Sequence, residues 1–305
     1  MDLRLMEILD RNRQYIKDGK LPIYIPELSK ANINALGIYI STLDHQEHMA
    51  GDYLYPFTIQ SISKVVTLMM ALEDQGKDAV FARVGMEPTG DAFNSMMKLE
   101  MIQPSKPFNP MINAGAIAVT SMIKGSSHEG IHRILNFFRK ITGNQQLNIN
   151  QDVYLSEKRT GDLNRAMAYY MRNVGVLKGD VEEHLDTYFK QCSIEVTCRD
   201  IARIGGFIAN NGILPETGER LIKEEYVKIA KTFMVTCGMY NASGEFAINV
   251  GIPAKSGVGG GIMAVVPGKM GIGVVGPSLD NKGNSIAGVR VLADLSEKFR
   301  LSMFL

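Results

Sequence analysis

Ser61 and Lys64 stand three residues apart at the head of a run that is almost wholly apolar: Ile62, Val65, Val66, Leu68, Met69, Met70 and Ala71. A helix with so little polar surface is expected to be buried. Positions i and i+3 share a helix face, so the hydroxyl and the amine can meet. Burial disfavours the charged form of an amine, and a neutral lysine beside a serine is a general base beside a nucleophile. At the helix start, free backbone N–H groups and the dipole would favour negative charge developing near Ser61. The same spacing arises more often as a solvated pair on a helix surface; the apolar surroundings weigh toward chemistry, and the rest of the chain decides between the two.

The elements around this pair follow from pattern. Residues 3–18 read as an amphipathic helix ended by Gly19, and Leu21 to Pro26 as an extended piece with Tyr24 as its one polar side chain. Ala35 to Leu43 and His48 to Tyr55 read as two strands around the polar turn Asp44–Glu47, leading directly into the Ser61 helix. Asn109 to Met122 enters a helix of small residues, in which buried amides at Asn109 and Asn113 need partners. They either hold loops or, at Asn113, face a ligand. The polar stretch Leu155 to Asn164 reads as the approach to a helix, with Glu157 and Asn164 as solvated flanks. Val196 to Asn210 is a further helix, closed by Asn211-Gly212. Gly244 to Val250, Gly257 to Val266 and Met270 to Val275 read as three antiparallel strands, and Glu297 as part of a final helix.

The resulting fold class is α+β: an antiparallel sheet built from both chain ends packs against helices, with a helical lobe in the middle. One domain over 1–305 is expected, its sheet lobe at about 1–60 and 240–305 and its helical lobe at about 61–239. With 305 residues and a hydrophobic fraction of 45%, the chain can fill such a core. Lys plus Arg number 33 against 32 for Asp plus Glu, so no field of one sign draws nucleic acid or an acidic membrane, and neither partner is expected. Cys192, Cys198 and Cys237 form an odd, sparse set that suits a reducing compartment. The first residues lack the apolar core of a signal peptide, and no apolar stretch is long enough to span a bilayer, so the expected location is cytoplasmic. His128-Glu129-Gly130-Ile131-His132 matches the zinc-protease pattern. We reject it, because Ser126 to Glu129 reads as a capping box at the solvated start of the Ile131–Lys140 helix and Gly130 loosens that platform. No metal is expected.

A second lysine begins Lys255-Ser256-Gly257 and runs into Val258-Gly259-Gly260-Gly261, where missing side chains let a ligand approach backbone N–H groups. An early Ser-x-x-Lys with a late Lys-Ser/Thr-Gly is the pairing of penicillin-binding proteins and serine β-lactamases. The wider pattern resembles the serine-dependent glutaminases, which share that β-lactamase/transpeptidase-like fold. The matching segments are Tyr24-Ile25-Pro26, Gln60 to Lys64, Asn109 to Ala116, Ser156-Glu157 with Gly161 to Asn164, Tyr188 with Cys192 to Thr197, Cys237 to Tyr240, and Pro253 to Val258. They run in order over nearly the whole chain, in a length similar to the short bacterial members and without ankyrin repeats. Leu21-Pro22-Ile23 departs from the family, which more often has a small residue before Tyr24.

The resemblance implies hydrolysis of L-glutamine to L-glutamate and ammonia by two-step acyl transfer, with no organic cofactor. It implies Ser61 as nucleophile and Lys64 as its base, kept neutral by burial and by a positive Lys255 nearby. Tyr240 would relay a proton to the leaving ammonia, and the N–H groups of Ser61 and Val258 would hold the oxyanion. Glu157 fits the substrate ammonium; Asn113, Asn164, Tyr188 and Tyr24 fit its carboxylate. None of the five histidines lies in a matching motif, so a Ser-His-Asp triad is not expected. Relatives imply a homo-oligomer, a tetramer. Two alternatives stay open: a β-lactamase-like serine hydrolase, which would need a third Ser-x-Asn or Tyr-x-Asn element, and a catalytically silent glutamine-binding protein.

Overall fold

The computed structural model describes residues 2–89, 106–125 and 127–305. The helices are α1 Asp2–Arg13, α2 Ser63–Gln75, α3 Lys77–Arg83, α4 Asn113–Thr120, α5 Ser127–Thr142, α6 Gln151–Thr160, α7 Asp162–Asn173, α8 Val181–Cys192, α9 Cys198–Ala209, α10 Glu224–Cys237, α11 Ser243–Asn249 and α12 Ile286–Phe299. The strands are β1 Gly37–Thr42, β2 Glu47–Gly51, β3 Phe57–Thr58, β4 Glu195–Val196, β5 Ala254–Ser256, β6 Gly261–Val266 and β7 Met270–Val275.

Five strands form one antiparallel sheet in the order β2-β1-β7-β6-β5, and β3 pairs with β4 apart from it. The central strands are buried on both faces because both faces are covered. On one side Leu5, Ile8 and Leu9 of α1 and Val291, Leu292 and Leu295 of α12 pack on Ile38, Ile40, Ile272 and Val274. On the other, α9 lies on β7 so closely that a Cβ at Gly271 would come within 2.1 Å of the Ala202 carbonyl oxygen. That contact requires glycine. The far side of α9 belongs to a larger core, which joins Val65, Leu68 and Met69 of α2 to Ile117 of α4, Leu135 and Phe138 of α5, and Phe189 of α8. The sheet, with α1 and α12 on one face, thus comes from both chain ends, and the larger helical core comes from the middle.

Several expected elements differ. The first helix stops at Arg13, and a 3-10 turn takes Ile16–Asp18. β2 ends at Gly51, whose φ of +64° turns the chain. Gly244–Val250 is no strand: it forms most of α11 and its C-cap Val250, with Phe246 and Val250 buried while Ile248 is 87% exposed. A strand would put all three on one face, whereas burial at i and i+4 is helical. The strand expected over Gly257–Val266 starts only at Gly261, as β6; residues 257–260 turn the chain from β5 into it, with Gly260 at φ +93°. The polar stretch Leu155–Asn164 is helical throughout, as the end of α6 and the start of α7 meeting at Gly161. Asn150 caps α6 by accepting from the Val153 N–H at 3.0 Å. The H-E-x-x-H sequence lies at the start of α5, and the capping role given to Ser126 falls outside the described residues. Among the described residues no helix is long and apolar enough to cross a membrane.

Candidate active site

The nucleophile candidate sits where β3 gives way to a 3-10 turn, Gln60–Ile62, that runs into α2. Gln60 holds φ +48°, in the left-handed region that few side chains tolerate. That kink turns Ser61 off the strand at the head of the helix. Ser61 is buried, and Lys64 is 1% exposed. The Lys64 amine donates to Asn113 Oδ1 at 2.6 Å and to the Met111 carbonyl at 3.2 Å. Burial lowers its pKa to about 8, against a smaller upward pull from Cys192 and Glu157.

Asn113 opens α4 and gathers three partners. Its Oδ1 also accepts from the Tyr188 hydroxyl at 3.2 Å, and its Nδ2 donates to Asn164 Oδ1 at 3.1 Å. The neighbouring Asn109 takes the quieter role, accepting from the N–H groups of Met111 and Ile112 at 2.9 and 3.2 Å and so holding the loop. Glu157 is no solvated flank. It is 6% exposed, bonded by the Gln60 side chain, and its Oε2 is buried with no hydrogen-bond partner. Burial raises its pKa to about 8, offset by the Gln60 bond and by Lys64.

The opposite wall comes from the late strands. Tyr240 has φ +54°, donates to the Ser256 carbonyl at 3.2 Å and shares a hydrogen bond with the Ser61 hydroxyl. Lys255 lies on the edge strand β5 yet is fully buried. Its amine donates to the carbonyls of Gly238 at 3.0 Å and Ser256 at 2.6 Å, and stands 4.4 Å from the centre of the Tyr240 ring. Burial and then Lys64 drive its pKa well below the usual lysine value. The expectation of a positive Lys255 keeping Lys64 neutral is therefore corrected: burial is what lowers Lys64, and Lys255 is itself disfavoured as a cation. Gly257 and Gly259 lie flush on the nucleophile's approach; a Cβ there would come within 2.8 Å of the Ile59 oxygen and 2.4 Å of the Thr58 oxygen. Val258 is held between them.

Tyr24, Ser61, Asn113, Glu157, Asn164, Tyr188 and Val258 line one cavity of about 50 Å³. Lys64, Tyr240 and Lys255 are not in its lining but connect to it: Lys64 through Asn113, Tyr240 through Ser61, and Lys255 through the Tyr240 ring. Half of Tyr24 faces solvent, but its hydroxyl end is enclosed, and burial pushes that hydroxyl's pKa well up. Gln60 and Cys192 also line the cavity, though sequence reading gave neither a role. The clue for Gln60 was its place beside the serine. Cys192 lies in a segment that matches the family, but nothing in that pattern told that its thiol turns toward the cavity. A larger cleft of about 370 Å³, around Asn144, Asn150 and Asp200, has no serine–lysine pair, so volume does not choose the site.

A sheet from both chain ends over a helical body, with buried serine and lysine at the head of α2, defines an α+β protein of the β-lactamase-like class. Known proteins narrow it. A family model described as Glutaminase matches residues 19–304. A glutaminase of Alkaliphilus metalliredigens is 69% identical over 305 residues, covering 100% of both chains. The crystal structure of a Bacillus glutaminase in 4.3 M NaCl superposes with a TM-score of 0.92 at 41% identity, covering 99% of each chain. A Bacillus subtilis glutaminase, solved as a covalent complex with 5-oxo-L-norleucine formed by reaction with 6-diazo-5-oxo-L-norleucine, gives a TM-score of 0.89 at 38% identity over 99% of each chain. The chain belongs to the glutaminase family.

Proposed function

We propose that this protein hydrolyses L-glutamine to L-glutamate and ammonia through a Ser61 acyl-enzyme. The observation that carries the reading is one cavity holding Ser61 and the unpaired, buried carboxylate oxygen of Glu157. Burial favours the protonated form of this carboxyl up to about pH 8; a cation beside it favours the anion, and the α-ammonium of an amino acid supplies one. Asn113, Asn164, Tyr188 and Tyr24 stand beside it as donors for the α-carboxylate. The side-chain amide then reaches Ser61.

Lys64, neutral above about pH 8, takes the Ser61 proton as Oγ bonds to the amide carbon. The N–H groups of Ser61 and Val258 receive the oxyanion. The C–N bond breaks as a proton passes through Tyr240, already bonded to Ser61, to the departing nitrogen, and ammonia leaves. Water then attacks the ester carbon, Ser61 recovers its proton, and glutamate is released. Lys255 fixes Tyr240 by lying against its ring and sharing the Ser256 carbonyl with it. The covalent adduct of the Bacillus subtilis relative with a glutamine-like diazo ketone supports a nucleophile in this family.

The test is ammonia release from L-glutamine, with L-asparagine and Ser61→Ala as controls. Glutamine-selective release lost in the variant is expected. Release retained by a folded Ser61→Ala protein rules out the nucleophile, and cleavage of a chromogenic β-lactam instead of glutamine favours the β-lactamase alternative. Calorimetric binding without release would make it a silent binder. A single domain, a homotetramer and a cytoplasmic location complete the proposal. One calorimetric transition, light scattering of the eluted protein and cell fractionation test them.

A further inference from the structure

We propose that Ser63 and Gln191, neither of which touches the cavity's reacting atoms, form one positioning device that aims the Ser61 N–H into the oxyanion site. The inference rests on the reading of Ser61 as nucleophile and N–H donor. Ser63 and Gln191 are completely buried. The Ser63 hydroxyl donates to the Gln60 carbonyl at 2.7 Å. That carbonyl and the Ser61 N–H belong to the same peptide unit, which is planar and trans, so they point in opposite directions. Tying down the oxygen therefore aims the N–H. The tie matters here because Gln60 sits at φ +48°, a conformation its backbone does not hold for its own sake.

Gln191, on α8, decides which way the Ser63 hydroxyl points. Its Nε2 lies 3.1 Å from Ser63 Oγ and 3.3 Å from Thr67 Oγ1. The Thr67 hydroxyl already donates to the Ser63 carbonyl at 3.3 Å, so what faces it must be a donor. This fixes the amide orientation, and Thr120 completes it by donating to Gln191 Oε1 at 2.9 Å. An amide NH2 cannot accept. Ser63 must then accept from Gln191; its one proton goes to the Gln60 carbonyl, and the Cys192 thiol, which also bonds to Ser63, is left as a donor. The Ser63 backbone N–H also reaches the Gln60 oxygen but is shared with the Ser61 oxygen, so the hydroxyl is the unshared tie. Simple glue between α2, α4 and α8 would need these bonds too, but it would not need them to end on the peptide ahead of Ser61.

The experiment measures ammonia release by Ser63→Ala, Gln191→Met and the double variant, with Ser61→Ala alongside. Losing a whole oxyanion donor costs about 100- to 1000-fold, and a misaimed one is expected to cost part of that, about 10-fold in kcat. KM for glutamine should stay put, because the ground-state amide does not need the oxyanion donors. The double variant should lose no more kcat than the worse single one, since both act through one bond. Folded variants with kcat within about twofold of the parent overturn the inference, as do losses that multiply in the double variant. If Ser63→Ala does not fold, Gln191→Met, which keeps the side chain's length, carries the same kcat and KM test. Activity surviving in Ser61→Ala would sink the nucleophile reading itself; a dead Ser61→Ala beside an unimpaired Ser63→Ala sinks this inference alone.

Discussion

Lys64 and Lys255 are both buried to within 1% exposure, and burial lowers both amines, yet they are held in different ways. Lys255 donates to two backbone carbonyls, one after α10 and one on β5. Those acceptors cannot turn away. Lys64 donates to one carbonyl and to the side-chain oxygen of Asn113, which belongs to the chain of amides and hydroxyls around the cavity. An amine held by these fixed carbonyls ties the end of α10 to β5. An amine held by a side chain beside a substrate cavity can give up and regain a proton. Burial lowers both amines alike, so on the proposed chemistry it is the partners that set Lys64, as the base, apart from Lys255, which steadies Tyr240.

The sharpest test of that contrast replaces each lysine by methionine. Lys64→Met should lose about 1000-fold in kcat with the fold retained, the scale of an absent general base. Equal kcat losses from both replacements at unchanged stability would break the comparison. Next in size, Glu157→Gln should raise KM for glutamine about 30-fold or more, since leaving one charge of a buried pair without its partner costs about 2–5 kcal/mol. A loss of melting temperature with KM unchanged would make Glu157 structural.

Titration gives a third test. Lys64 must be neutral and Glu157 ionised for the proposed chemistry, and each changes at about 8, so kcat/KM of the free enzyme should climb with pH to about 8. Stability should run the other way. Glu157 keeps its proton in the fold above the unfolded value of 4.5, so its contribution falls as pH rises from there to about 8. Lys64 is penalised as a cation at low pH, and its contribution recovers between about 8 and 10.5, where the fold has released the proton and the unfolded chain has not. For these two groups the least stable pH is the one at which the site is armed. Melting curves of the parent, Lys64→Met and Glu157→Gln across that range check it; superimposable pH profiles would refute it. The smallest effect expected is on the structural side. Lys255→Met should cost about 1–3 kcal/mol of stability, because buried carbonyls lose a donor, with a smaller fall in kcat as Tyr240 loosens. Urea unfolding measures it.

The serine–lysine pair was legible because its chemistry lies within one turn and its apolar surroundings forecast burial. The sheet from both chain ends was legible in the Val- and Ile-rich runs. Glu157 was misread from local pattern, because nothing in a polar helix such as α6 tells which polar residue turns inward; only its resemblance to a family motif placed it in a pocket. α11 was misread because Phe246, Ile248 and Val250 alternate like a strand, and only burial shows the helical spacing. The β3–β4 pair was too short to leave a pattern. Gln191 and Ser63 meet across 128 residues, and such a bond has no signature in either local stretch.

The pairing of β1 with β7 also has a consequence for how the protein is made. The two strands are more than two hundred residues apart, and among the described residues β7 alone joins the β1–β2 hairpin to the rest of the sheet. At a ribosomal rate of roughly 5–20 residues per second, the hairpin waits on the order of ten to fifty seconds for that partner. Until then one long edge of β1, with its Ile residues, has no mate. The nascent chain is thus most open to stray strand pairing through most of its synthesis, and the delay is set by the order of the strands rather than by the stability of the finished fold.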